Sequence, residues 1–324
     1  MKRLAVMVTC VIAALSAQSG SAADSDQLNA TWTARTPDGQ PDLQGIWTNS
    51  TLTPLERPAA LAQKQFYTDE ELAVLQRQRA QADHDQAPRT GDPGTYNQFW
   101  WDEGQLLRQT SLIVDPPDGR IPSLTPEGER RRAARRARST PADGPEDRNL
   151  SERCITRGAP KLPGGYNNNF QIVQTPGYVA IFQEMIHEIR IIPIDGRPHA
   201  PAPVRSFLGD SRGRWEGNTL VVDTTNFNDR VGATSYNCCG GAAEHLHLIE
   251  RFTRIDAHTI DYQYTVDDPT TFTRSWTVTV PMRQFAGPLY EYACHEANYG
   301  MTGILKGHRA VEKAAEGRTT GGAR

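Results

Sequence analysis

The stretch GDSRGRWEGNTLVVDTTNF, residues 209–227, decides the fold. Two β-rich runs, RGRW and TLVVDTTNF, flank Glu216-Gly217-Asn218, a glycine-asparagine turn of hairpin type. The same grammar repeats on either side. Upstream lie FQIVQT (170–175), VAIFQE (179–184), HEIRIIPI (187–194) and VRSFLG (204–209). Downstream lie HLHLIERFTR (245–254), TIDYQYTV (259–266) and TFTRSWTVTVPM (271–282). Gly, Pro, Asp and Asn separate the runs. Strands this close in sequence pair antiparallel, because parallel pairing requires a long crossover. Eight to ten such strands need an end to their exposed edges, and closure supplies it. The expected fold is mainly β, an antiparallel up-and-down, calycin-like barrel over residues 166–310. Such a barrel is filled by side chains or holds one small ligand.

Residues 24–165 read as an arm that wraps the barrel and carries two short helices. QGIWTNSTL (44–52) offers a strand. Thr68 and Glu71 form a capping box, which starts a helix at Asp69 that runs to about Ala82. Phe99, Trp100 and Trp101 are adjacent, so they cannot all face one core. Trp100 or Trp101 is expected to cover a pocket. Thr125 caps a second helix with Pro126 at its first position. Its six arginines between Arg130 and Arg138 read as a solvated face. Residues 311–324 are expected to form a disordered tail.

The chain opens MKRLAVMVTCVIAALSAQSGSAADSD. A positive start, an apolar run from Leu4 to Ala17 and the small residues Ser21-Ala22-Ala23 mark residues 1–23 as a signal peptide. The mature protein is therefore expected to be periplasmic or secreted, with no integral membrane segment. Loss of Lys2 and Arg3 moves the formal charge from −3 to −5, which argues against a nucleic-acid partner. Cys154, Cys238, Cys239 and Cys294 remain after Cys10 is removed. In an oxidising compartment an even set suggests disulfides, and a Cys154–Cys294 bridge is the favoured one.

Histidine is scarce, at eight in the chain. His187, His247 and His295 lie in or beside β runs, each with a carboxylate nearby. Glu184 precedes His187 by three and would need a turn at Met185-Ile186 to meet it. Glu291 and His295 share a face, and Glu250 points away from His247. If closure brings the three imidazoles to one mouth, two chemistries follow. One is a divalent metal site for zinc, iron or manganese, completed by Glu184 or Glu291. The other is metal-free acid-base catalysis by His and Glu. Arg190 is expected to meet an anionic group. Tyr166 and Asn168 in LPGGYNNNF could hydrogen-bond a small-molecule substrate. Hydrolysis, elimination or isomerisation of a small, partly hydrophobic molecule fits such a site. A lipocalin-like carrier or sensor, with structural histidines, is the alternative. GxGxxG and phosphate-loop patterns are absent from the sequence.

PDLQGIW (41–47), DPPDGRIP (115–122), GYVAIFQEMIHEIRIIPIDGRPH (177–199), LIERFTRIDAHTIDY (248–262) and EYACHEANYGM (291–301) accompany the opening stretch. On these motifs the chain resembles a family of uncharacterised exported bacterial proteins. The resemblance implies export and brings no activity or catalytic residues with it. The GRWEGNTLVV hairpin is also similar to those of lipocalin-like barrels, which implies fold class alone.

Overall fold

The computed structural model describes residues 32–81, 101–102, 104–139, 142–229, 243–296 and 298–321. Chain order is β1 (Gly45–Thr48), α1 (Asp69–Ala80), β2 (Ile113–Asp115), α2 (Pro126–Ser139), β3 (Asn169–Thr175), β4 (Tyr178–Gln183) and β5 (Glu188–Pro193). There follow β6 (Asp210–Glu216), β7 (Thr219–Thr225), β8 (His247–Asp256), β9 (Thr259–Asp267), β10 (Trp276–Gln284) and α3 (Tyr299–Gly321). The strands form one sheet in the order β5-β4-β3-β1-β10-β9-β8-β7-β6, and β2 pairs with β10 beside that path. Every ladder is antiparallel. The chain is thus a mainly β, up-and-down antiparallel barrel that is nearly closed.

Among the described residues the ring path has nine strands, and that odd number has a topological cost. Directions alternate along nine antiparallel neighbours, so the two end strands, β5 and β6, run the same way. Parallel neighbours cannot be joined by a hairpin, and here the link is the long connection 194–209. No backbone ladder joins β5 to β6. They meet instead through side chains: a Cβ on Gly213 of β6 would lie 2.6 Å from an Ile194 methyl and 3.0 Å from an Ile192 methyl. Glycine at 213 lets this seam pack at that end.

The decisive hairpin forms as read. Glu216 pairs with Thr219 around a two-residue loop, and Gly217 takes a φ of +60°. This is the left-handed backbone that such a loop demands. VRSFLG does not form a strand and holds a single bridge, Ser206 to Phe227. The final strand begins at Trp276 rather than at 271.

The arm contributes more than a wrap, because β1 sits between β3 and β10 and completes the ring. Trp47 on β1 is fully buried. Helix α1 has the expected capping box: the Thr68 hydroxyl accepts from Glu71 N at 3.3 Å, and Thr68 N donates to Glu71 Oε2 at 2.8 Å. Helix α2 is capped by Thr125, which accepts from Gly128 N at 3.1 Å. Its Arg131 ties it to Thr270 O and Thr271 Oγ1 at 2.9 and 2.8 Å. Arg130 and Arg132 are exposed and paired with Glu127 and Glu129. The tail expected from 311 is helical instead, because α3 extends to Gly321. Asn298 Oδ1 accepts from Met301 N at 3.2 Å, and Arg309 donates to the carbonyls of Ala142 and Asp143 at 2.6 and 3.0 Å. Cys154 and Cys294 are bonded, with a Cα–Cα distance of 5.6 Å.

Inward residues alternate along each strand and fill the barrel. They include Ile172, Val179, Ile192, Leu220, Leu248, Ile260, Trp276 and Val278. The Arg254 guanidinium closes part of the tube, 3.9 Å from the Trp32 ring centre and 4.8 Å from that of Trp47. Arg254 also donates to the carbonyls of Asp42 and Ala257 at 3.0 and 2.7 Å. Among the described residues no helix is long and apolar enough to cross a membrane.

Candidate functional site

The site is built by strand parity. On β5, Glu188, Arg190 and Ile192 turn inward, while Ile189 and Ile191 face out, 55% and 65% exposed. On β8, Leu248, Glu250 and Phe252 turn inward, and on β9 so do Ile260, Tyr262 and Tyr264. Arg190 crosses the interior to Glu250 in a two-pronged ion pair at 2.6 and 2.9 Å. Tyr262 donates its hydroxyl to Glu250 Oε1 at 2.7 Å. Both charges are buried, so each depends on the other for the solvation that water would give. Burial, and then the nearby Glu250 carboxylate, hold the Tyr262 hydroxyl well above its ordinary pKa.

Glu188 lies on the same inner face. Burial raises its carboxyl pKa, against the pull of bonds from the Thr156 hydroxyl and Arg157 N. Gln183 Nε2 also donates to it, at 3.2 Å. The arm adds Lys161, which is 5% exposed and donates to Asn168 Oδ1 at 2.8 Å. Burial strips water from this ammonium and Arg157 repels it, while Asp102 and Glu184 pull the other way. The net effect lowers the Lys161 pKa to about 7.

Gly158–Lys161, Phe170, Ile181, Glu188, Arg190, Glu250, Tyr262 and Met282 enclose a cavity of about 30 Å³. That is room for a water-sized group. A second hollow of about 370 Å³ opens on the outside, at the seam between β5 and residues 206–211. Arg190 and Leu208 line both spaces.

The expected histidine set is divided. His187 and His295 do approach, with ring centres 6.3 Å apart. His187 lies in a 3-10 turn at 185–187, with Ile186 and His187 at φ of 61° and 46°. Its Nδ1 bonds the Tyr292 carbonyl at 3.2 Å, and both rings are exposed. His247 starts β8 and, by parity with the inward Glu250, faces out. There its Nε2 bonds Asp223 at 3.0 Å. His199 Nε2 bonds the other oxygen of Asp223 at 3.1 Å, and His199 Nδ1 bonds Asp210 at 3.0 Å. Among the described residues no three His, Cys, Asp or Glu side chains converge as a metal-holding group.

The turn foreseen at Met185-Ile186 exists, but it does not bring Glu184 to His187. Glu184 is 1% exposed and accepts from Asn169 Nδ2 at 2.7 Å and Tyr290 N at 2.8 Å, so it anchors the segment after β10. Glu291 is exposed. Asn168 is fully buried and positions Lys161 while bonding Asp102 and Gly164. Tyr166 is half-buried and outside the cavity lining, and Trp101 packs on Gly165. Trp100 lies outside the described residues. Arg190 reaches the interior, and its anionic partner is Glu250 of the same chain.

Sequence reading missed Lys161. One signal was available: the chain has five lysines against thirty arginines, and this one stands between Pro160 and Leu162. His199 was also missed, since DGRPH reads as a turn. Comparison with family models, with curated proteins and with solved structures finds no match to this chain.

Proposed function

We propose that the protein is an exported enzyme acting on a small, partly hydrophobic carbonyl compound, with the Lys161 amine as its reacting group. The observation that carries this reading is a buried lysine, Lys161, among the residues that line a largely apolar cavity, and burial also lowers its pKa to about 7. An unprotonated amine can take a proton from the carbon beside a carbonyl, or attack the carbonyl carbon, and an ammonium can do neither. Glu188, with its carboxyl pKa raised by burial, is placed on the same wall to return a proton. The Arg190–Glu250–Tyr262 cluster stiffens the lining beside Glu188. Isomerisation or elimination by proton transfer suits this set. The Cys154–Cys294 bond supports export to an oxidising compartment. The open hollow of about 370 Å³ favours a second reading, a carrier that binds the same kind of molecule and releases it unchanged.

Small aldehydes and ketones offered with cyanoborohydride at roughly pH 8, where an ordinary lysine is mostly charged, test the reading. Peptide mass spectrometry should find the reduced adduct on Lys161 ahead of Lys64, Lys306 and Lys313, and Lys161→Met should remove it. Labelling of the exposed lysines with Lys161 untouched would sink the proposal.

A further inference from the structure

We infer that the β5–β6 seam is the way into the interior site, and that the hollow there seats the apolar tail of its ligand, a straight-chain carbonyl compound of several carbons. The inference rests on Lys161 as the reacting group and adds where its partner lies. The interior cavity, at about 30 Å³, has room for a carbonyl head and no tail. The outer hollow, at about 370 Å³, has the size of a small-molecule pocket. Arg190 and Leu208 belong to both linings, so a molecule in one is a side chain away from the other.

The seam is also the cheapest place in the wall to pass. No ladder joins β5 to β6, so moving Leu208 breaks no sheet hydrogen bond between them. The side-chain pattern there is inverted, with Glu188 and Arg190 inside and Ile189 and Ile191 exposed outside, next to Phe207. Covering two aliphatic side chains with a hydrocarbon tail removes apolar surface from water on both partners. The charge of Arg190 is already met by Glu250, so the head need not be ionic. A neutral carbonyl fits beside Lys161. Its carbon accepts the amine lone pair, its oxygen leaves as water after taking up two protons, and a protonated imine remains.

Two probes separate this inference from the reading beneath it. The first compares octanal with acetaldehyde for reductive labelling of Lys161, each normalised to a free amine. Octanal should label at least about tenfold faster, since its extra methylenes are buried. In an Ile189→Ser, Ile191→Ser double variant that ratio should fall to near one. Val173→Ser, on the exposed outer face of β3, should keep it. The second probe is octanamide, which cannot form an imine, with binding measured by calorimetry. It should bind the wild type and bind the double variant at least about tenfold more weakly. Both isoleucines are exposed, so these variants retain the fold. Lys161 labelling that ignores tail length and the double substitution overturns the seam and leaves the amine chemistry standing. Octanamide binding lost in the double variant, with no labelling of Lys161 by any aldehyde, supports the seam and overturns the amine.

Discussion

Lysine 161 is the buried one among the described lysines, and its burial has a consequence for stability as well as for chemistry. Its pKa is about 7 in the folded chain, against an ordinary value of 10.5. Between those values the unfolded chain holds the proton and the folded chain does not. Stability should therefore rise with pH across that window, by up to about 1.4 kcal/mol per pH unit. Below about pH 7 both states are protonated and the full penalty is present. Denaturant unfolding between pH 7 and 10 should show a slope in the wild type that Lys161→Met lacks. Identical profiles for the two proteins would mean that this lysine is charged in the folded state. The residue level was also where sequence reading was weakest. Arg190 and Glu250 were both noticed, but their meeting depends on which strands share the interior. No local spacing encodes a contact between residues so far apart. The places of the histidines were hidden for the same reason: parity sends His247 outward to Asp223 while His187 rests on the Tyr292 carbonyl.

At the level of elements, hairpins were legible because their information is local. Glu216-Gly217-Asn218-Thr219 carries both the turn and the register, and the structure places Arg214 opposite Val221 and Trp215 opposite Leu220. Gly217 should tolerate little, since its φ of +60° strains any residue with a branched Cβ. Gly217→Val should lower the denaturation midpoint by the equivalent of about 1–2 kcal/mol. A variant as stable as the wild type would show that the loop had changed its type. Helix α3 was illegible because Gly300, Gly303 and Gly307 weaken any intrinsic helical preference. What holds it is tertiary: the Asn298 amide donating to Glu152 O, the neighbouring Cys154–Cys294 bond and the grip of Arg309 on Ala142 and Asp143. Helix α1, by contrast, announced its start through a capping box that lies entirely within four residues.

For the whole molecule, the barrel was foreseeable from the number of hairpins, and the seam was not. Whether strands close evenly depends on β1, a four-residue strand inside the arm that raises the ring to nine. The unpaired edges of β5 and β6 should open most readily. Their seam-facing amides should exchange with deuterium at least about 100-fold faster than the amides of β9, which has neighbours on both sides. Equal protection in β5 and β9 would show that the seam is zipped in solution. The position of β1 carries one more consequence, for the order of assembly. Its ladder partners, β3 and β10, lie far downstream, and Trp47 faces Gln284. As the chain emerges from a ribosome or an export channel, hairpins can form one by one, but the ring must wait for β10, the last of the described strands. Contacts of such long separation are slow to make, so the nascent chain spends its longest interval as an open, sticky ribbon that a chaperone would hold.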